Sequence, residues 1–516
     1  MNIAVILLVC VFQIGFAKAI DDNNYNFART NNNDLQKCLS SSLSSSVYTI
    51  YPCNTLENQN SSQYKCDHFD VNSLLGIRGG RIPHLPAVIV YVMNSNDVQN
   101  VVKCATKLNY IVNALSGGHS YEGHGLGSKH NNIIINIEGI NYININQSDR
   151  TGKFGAGTRL DPIHYTAYQY DNLTINGGTC AWVGLAGLAL GGGKGELLAI
   201  NESHEPDLYW ALRGGGGGLF VIVTEFKLRL VQAPLLVMML TSVWDANATK
   251  LVIQRYQSLI FNEKILNLPN NIFILLTVKS ATVDILLSYY GVELEEFNRI
   301  VSLFLSTLPS PLKINITELD WLSFVYEHSS LSNPSDDIRE LLLNNLTYPT
   351  YYFKAKHLFY DQPVSDDSLD QLISRLTSTD SSITLQFELW GGYLNTIPVD
   401  QTAFLHRHYK FDIQFMVCWD NDQDENEQLN RLNQVYLTVY NDSTKYSYIN
   451  YIDRDLPNWM NAYYNTHQQR LIHIKHIYDK DNRFDFERTI QLSGANQYTF
   501  FNFHLSIFVL FLFFII

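Results

Sequence analysis

Charged residues are scarce in this sequence. Asp, Glu, Lys and Arg make up 16% of 516 residues, and 36 basic residues against 49 acidic ones leave a net charge of -13. No block of Lys and Arg stands ready to neutralise a run of phosphates, so nucleic acid is excluded as a partner. No G-x-G-x-x-G opens a helix pattern with an acidic residue about 20 positions on, which excludes a Rossmann dinucleotide fold. No G-x-S-x-G elbow is present to serve a hydrolase. Metal ligands are thin as well. His473 and His476 share a helix face and His406 and His408 flank Arg407, but neither pair has a matching Cys, Asp or third His, so all four are expected on an ordinary polar surface. Internal repeats are lacking too. What remains is 46% hydrophobic and too long for one small core, which predicts a globular chain of two or more substructures.

The two ends differ from the average. Ile3 to Phe16 is an apolar run closing on Ala17-Lys18-Ala19, the small-x-small pattern of a signal-peptidase site, so residues 1–19 read as a signal peptide. Phe500 to Ile516 is almost wholly apolar with no basic stop-transfer residue after it, and Ser493, Gly494 and Ala495 lie just upstream. Residues 493–516 therefore read as a GPI-attachment signal, with a simple C-terminal membrane anchor as the alternative, and any membrane contact is expected through that anchor only. Eight N-x-S/T sequons, at Asn60, Asn146, Asn172, Asn201, Asn247, Asn315, Asn345 and Asn441, fit the secretory pathway and an extracellular or cell-surface location. Cys10 leaves with the leader. The remaining cysteines, Cys38, Cys53, Cys66, Cys104, Cys180 and Cys418, can form disulfides in an oxidising compartment, but their spacing does not say which pair.

Residues 20–76, rich in Asn, Ser and Asp, read as an irregular N-terminal segment stapled by cysteines. Ala87 to Val92 is a buried-strand pattern, Asp97 reads as the cap of an amphipathic helix Val98 to Leu108, and Ile111 to Leu115 and Ile133 to Ile137 read as further strands. Glycine is dense from 152 to 218, which predicts short strands and tight loops ahead of a strand from Phe220 to Leu228. From 233 to 440 glycine thins out. Helix-like segments there, Asp336 to Leu346 and Ser365 to Ser378, alternate with strands at 272–278 and 383–388, which predicts a separate domain. A Tyr-rich strand and an amphipathic helix, Trp459 to Tyr478, complete the pattern within 441–491.

The chemistry-bearing segment Ser116-Gly117-Gly118-His119-Ser120-Tyr121-Glu122-Gly123 follows a strand, and its glycines and small polar residues let backbone N–H groups converge on an anion. Further on come Gly177-Gly178-Thr179-Cys180-Ala181-Trp182-Val183-Gly184-Leu185-Ala186-Gly187 and then Gly191-Gly192-Gly193. Together these resemble the berberine bridge enzyme-like group of FAD-linked oxidases, within the vanillyl-alcohol oxidase superfamily. The resemblance implies an α+β chain with a PCMH-type FAD-binding domain at 77–232, a substrate domain of antiparallel sheet covered by helices at 233–440, and a segment 441–491 completing the FAD domain. It also implies FAD held by two covalent bonds, from His119 to the flavin 8α carbon and from Cys180 to C6; imidazole and thiolate are the side chains suited to adding to an electron-poor ring. Ser116, Gly117, Gly118, Ser120, Tyr121 and Gly123 in the first loop, Gly178, Thr179, Val183, Gly184 and Gly187 in the second, and Gly155 and Gly157 in a matching strand and turn are the cofactor contacts it implies. Pro206-Asp207-Leu208-Tyr209-Trp210-Ala211-Leu212-Arg213 before the glycines at 214–216 extends the likeness. Cys38 and Cys104 stand where plant members carry a disulfide, which implies that pairing here; Cys53 with Cys66 is left open.

Tyr448-Ile449-Asn450-Tyr451-Ile452-Asp453 resembles the family's Y-x-N-Y-x-D strand, whose second tyrosine is the base facing the flavin; here that is Tyr451. A tyrosine of pKa near 10 needs either a depressed pKa or a partner that takes its proton. Asp412, ahead of Trp419, and Glu388 are the two options by alignment position, and either could equally be a surface carboxylate. The implied reaction oxidises an alcohol or hemiacetal of a carbohydrate, or a phenolic or allylic alcohol, with hydride passing to the flavin, molecular oxygen as acceptor and hydrogen peroxide as product. Val183 matches the position controlling oxygen access, and a valine there favours an oxidase. A monomer with a small-molecule substrate is expected. One departure stands out: Gly193-Lys194-Gly195 runs straight into Glu196, where family members carry a block of roughly 20 residues, enough for a loop and one or two strands. Its lack points to an incomplete gene model or splice form, or to a degraded member acting as a non-catalytic cell-surface glycoprotein on an oxidase scaffold.

Overall fold

The computed structural model describes residues 33–51, 86–127, 131–178, 180, 183–191, 203–262, 268–328, 352–377, 382–420 and 424–492. The leader, the cysteines at 53 and 66, the run 192–202 around the shortened glycine segment, the helix expected from Asp336 to Leu346 and the C-terminal apolar tail lie outside the described residues. No helix among the described residues is long and apolar enough to cross a membrane.

A small sheet opens the described part of what is expected to be the cofactor side. Val88–Tyr91, Ile133–Asn136 and Val112–Leu115 run parallel, with Tyr48–Ile50 antiparallel on the outer edge. Buried on both faces, the first two strands are continuous Val and Ile runs, as parallel strands between covering layers require. The crossover helix Ser95–Leu108 is capped by Asn94, whose side chain accepts from the Asp97 N–H; Asp97, expected as the cap, is instead buried and accepts from the Met93 N–H at 3.2 Å. Asn109 ends this helix in the left-handed region. Cys104 on the helix is bonded to Cys38 on the helix Asn33–Ser42, with Cα atoms 5.9 Å apart, the pairing the resemblance implies. A three-stranded antiparallel sheet follows, of Ile143–Asn146, Thr151–Gly155 and Glu225–Arg229. The strand expected from Phe220 is thus shorter: Phe220–Thr224 has no strand pairing, and regular structure begins at Glu225.

The part expected to be the substrate side holds a seven-stranded, wholly antiparallel sheet in the order Lys313–Leu319, Val237–Asp245, Thr282–Tyr289, Ile272–Val278, Thr384–Leu389, Phe411–Trp419, Tyr352–Tyr360. Its two faces have different partners because strand side chains alternate. On Phe411–Trp419, Phe411, Ile413, Phe415 and Val417 pack into a core with the helices Thr249–Phe261, Leu294–Leu305, Asp366–Thr377 and Glu425–Val439. Met416, on the alternate face, packs with Phe353, Ala355 and Phe359 into the core of the cofactor side, together with residues from Tyr448 to Ile490. Asp412 and Gln414 share the parity of Met416. The last segment differs from its sequence reading: Tyr448–Asp453 forms no strand but a single 3-10 turn at Ile449–Tyr451, and the expected helix Trp459 to Tyr478 is broken at Asn465 into Trp459–Tyr464 and Gln468–Tyr478.

Candidate functional site

The two glycine loops meet. Gly118, at φ 71°, takes the left-handed backbone that turns the first loop just ahead of His119. At Gly184 a side-chain carbon would stand 2.5 Å from the Gly117 nitrogen and 2.6 Å from Ser116 Oγ, so only glycine lets the second loop approach the first. Ser116 Oγ donates to the Ala156 carbonyl at 2.9 Å, and Arg159 Nη1 donates to the Gly117 carbonyl at 3.2 Å. Gly155 and Gly157 serve a different approach: added carbons there would meet the carbonyls of Ile140 and Ile137 at 2.1 Å, and neither residue lines the cleft.

Between the loops lies a cleft whose empty space, counted out to solvent, is about 1480 Å³. Ser116, Gly117, Gly118, His119, Ser120 and Tyr121 line it from one loop, Val183, Gly184 and Gly187 from the other, and Tyr451 closes it from the C-terminal segment. Cys180 is fully buried behind this wall, its carbonyl accepting from the Val183 N–H at 3.2 Å. Gly123 and Gly178 are not among the lining residues, and Thr179 lies outside the described residues. The lining is largely glycine and apolar, with His119 among it, which fits a flat aromatic cofactor approached closely by backbone.

Below the cleft, the seven-stranded sheet presents a buried polar layer. Tyr451, 1% exposed, donates its hydroxyl to Glu388 Oε2 at 3.1 Å, and its ring lies parallel to that of Tyr121 with centroids 5.5 Å apart. Glu388 and Asp412 are direct cross-strand neighbours, both fully buried, so neither is the surface carboxylate that the sequence left open. Burial drives the Glu388 carboxyl well above the ordinary carboxylate range; the Asp412 charge pushes the same way, and the Tyr451 hydrogen bond opposes them. Burial also raises Asp412, against the hydrogen bond from Trp390. Tyr451 is pushed up, first by burial and then by Glu388.

His357 was missed by sequence reasoning. Its Nδ1 accepts from the Tyr448 backbone N–H at 3.1 Å, so the proton sits on Nε2, which donates to Asp412 Oδ2 at 2.9 Å. Burial takes His357 down to about 3, so this contact is a neutral hydrogen bond and not an ion pair. Trp390 Nε1 donates to the same Asp412 oxygen. A second omission is an ionic cluster beside the site. Lys354, fully buried, holds Glu122 of the His119 loop, Asp453 at 2.5 Å and Asp455 at 2.8 Å; Lys356 holds Asp453 at 2.8 Å, and Arg454 holds Glu122 at 2.8 Å. Burial works against the Asp453 charge, yet Lys354 and Lys356 keep its carboxyl below the usual range. The available signal was two lysines and a histidine inside the otherwise apolar and aromatic run 351–360.

The histidine expectation needs one correction. His473, His476 and His408 are exposed, but His406 is buried and donates from Nε2 to the Tyr463 carbonyl at 3.0 Å. No metal-holding group occurs among the described residues.

Comparison with known proteins agrees with this geometry. Residues 86–205 match the FAD binding domain model, and 447–491 match the model for berberine and berberine-like proteins. Similar relatives in Arabidopsis thaliana include monolignol oxidoreductase AtBBE-like 13, 26% identical over 78% of this chain and 84% of its own, and berberine bridge enzyme-like 23, 27% identical over 78% and 84%. Among solved structures, Physcomitrella patens BBE-like 1 superposes with a TM-score of 0.78 at 27% identity, covering 89% of this chain and 99% of its own. The xylooligosaccharide oxidase of Myceliophthora thermophila C1 in complex with xylobiose shares the fold at a TM-score of 0.75 and 19% identity, over 89% and 99%. The two matched models, the relatives and the shared architecture together support a berberine bridge enzyme-like FAD-linked oxidoreductase.

Proposed function

We propose that this chain is a secreted oxidase that removes two electrons from an alcohol or hemiacetal, of a carbohydrate or of a phenolic or allylic alcohol, and delivers them to oxygen as hydrogen peroxide. The observation that carries this reading is the hydroxyl of Tyr451, a residue lining the cleft, donating to the buried Glu388 carboxyl at 3.1 Å. His119 and Cys180 would hold FAD covalently, and the chemistry a bound flavin supplies there is acceptance of hydride from the substrate carbon. The protein's own residues handle the proton. Glu388 Oε2 takes the proton of Tyr451 Oη as Oη takes that of the substrate hydroxyl. A carboxyl raised by burial is a stronger acceptor once ionised, which suits it to this relay. Asp412, fixed by His357 and Trp390, stands beside Glu388 and sets how readily that charge forms. The glycine loops would let backbone lie close against the ring, and Val183, which lines the cleft, is the position that the resemblance ties to oxygen access.

The competing reading, a non-catalytic surface glycoprotein, rests on the block missing after Gly195 and on how fully Tyr451 and Glu388 are shut from solvent. Acid-precipitated protein separates the two. Yellow absorbance that stays with the chain, and peroxide release with at least one member of a panel of reducing sugars and aromatic alcohols, are the expected results. A folded but colourless protein would sink the oxidase.

A further inference from the structure

The seven-stranded sheet has two edges that are treated differently. Tyr352–Tyr360 is buried along its whole length. Lys313–Leu319 pairs with Val237–Asp245 on one side, and no strand among the described residues pairs with its other side. Leu312, Ile314 and Ile316 along this edge are 68%, 49% and 48% exposed. Seven residues of open backbone with alternating isoleucines form a template for a foreign strand, which proteins usually blunt with a charge, a proline or a bulge in mid-edge. Here Pro311 and Lys313 stand at the start and Glu318 near the end, and the centre is Ile314-Asn315-Ile316-Thr317.

That centre is an N-x-T triplet. Of the eight triplets, Asn146, Asn172, Asn247, Asn315 and Asn441 fall within the described residues, and all five asparagines are exposed. The other four sit on turns or strand ends: Asn146 Oδ1 already accepts from the Ser148 backbone N–H and hydroxyl, Asn172 has a left-handed backbone, Asn247 lies in a 3-10 turn, and Asn441 lies in another. Asn315 is the one of the five in the middle of an open sheet edge.

We propose that Asn315 carries an N-linked glycan that caps this edge and keeps the substrate-side sheet from pairing with a second copy of the chain. The bond made joins Asn315 Nδ2 to the anomeric carbon of an oligosaccharide carried on a polyprenyl diphosphate; the lipid diphosphate leaves, and the amide gives up one proton. Pairing needs a neighbouring backbone at about 4.8 Å, a spacing that a branched sugar rooted in mid-strand denies along several residues. The inference rests on passage through the secretory pathway and is independent of the oxidase reading.

The test uses the full chain with its own leader, secreted from a eukaryotic host. Peptide mass spectrometry should find Asn315 glycosylated in most molecules. Light scattering should find wild type and Asn247→Gln monomeric, Asn315→Gln at least about twofold heavier on average, and Asn315→Gln with Ile316→Lys monomeric again, since an edge charge replaces the sugar's role. If Asn315→Gln is retained in the cell, enzymatic trimming of the purified glycoprotein gives the same comparison. An unmodified Asn315, a monomeric Asn315→Gln or trimmed protein, or equal association of the Asn247→Gln variant each overturns the proposal.

Discussion

Gly184 and Gly187, three positions apart in one motif, should answer the same substitution with opposite signs. An alanine carbon at Gly184 stands about 1 Å inside ordinary contact with two atoms of the His119 loop, the Gly117 nitrogen at 2.5 Å and Ser116 Oγ at 2.6 Å. One of these is backbone, so the loop itself has to retreat, and overpacking of this kind costs about 1–3 kcal/mol. At Gly187 the added carbon meets nothing within 4 Å, and the residue lies inside the helix Leu185–Leu190. Alanine there is favoured over glycine by up to ~1 kcal/mol. Yet Gly187 lines the cleft. In protein made under flavin starvation, urea midpoints should therefore fall for Gly184→Ala and hold or rise for Gly187→Ala. In flavin-replete protein, acid-stable absorbance at flavin wavelengths should fall for both. Midpoints moving in the same direction would refute the steric reasoning. A Gly187→Ala variant with undiminished absorbance would show that no cofactor lies over this glycine.

Tyr451→Phe should leave the urea midpoint within about 1 kcal/mol of wild type, since a single hydrogen bond is lost, while peroxide release falls by about 10²-fold or more; equal peroxide rates would remove Tyr451 from the chemistry. Glu388 and Asp412 have folded-state pKa values above the unfolded ones near 4, so they cost no stability below pH 4 and a growing amount as pH rises toward their folded values. Glu388→Gln should accordingly raise the midpoint at pH 7 and not at pH 3, and a gain of the same size at both would contradict the assignment. Asp453 has the opposite sign, stabilising at neutral pH and losing that contribution as pH falls from about 4 toward its lowered folded value. Lys354→Met should cost about 3–5 kcal/mol, whereas Lys354→Met with Glu122→Gln should be the more stable of the two, because Lys356 keeps Asp453 and Arg454 keeps Glu487 at 3.3 Å; a double variant as weak as the two single losses added would argue against one shared cluster.

Much of this site was legible because loops with special backbone needs announce themselves. Gly118 before His119 and Gly184 against Ser116 are glycines that no other residue replaces without strain or collision, and they mark where the chain is held close. The stretches 272–278 and 383–388 likewise read as strands, and the strands stand at Ile272–Val278 and Thr384–Leu389, within a residue of that. What escaped was non-local. Whether Glu388 or Asp412 meets Tyr451 depends on a cross-strand register and on a turn more than sixty residues from Glu388. His357 carried no motif, since its role arises from the Tyr448 N–H reaching one ring nitrogen and Asp412 the other. The Tyr448–Asp453 segment read as a strand because aromatic and β-branched residues favour extended structure, but its packing against the sheet's last strand imposes a turn instead.

The acidic residues that end the two motifs also have a different task from the one their company suggests. Glu122 closes the His119 loop and Asp453 closes the Tyr451 turn, and both reach Lys354, which is sealed from solvent. A buried ion cluster gains little net stability over an apolar replacement, so its value lies in geometry: each carboxylate left without the lysine would be costly, and only one arrangement of the two loops satisfies both. Tyr352–Tyr360 therefore acts on the site twice, through Lys354 on the loops and through His357 on Asp412 and the Tyr448 backbone. The spacing between Tyr451 and the wall that carries His119 is set by a strand belonging to the other half of the chain. A cofactor held between those loops would be positioned against the polar layer by this strand, and substitutions there should disturb both cofactor retention and proton transfer without touching either reacting group.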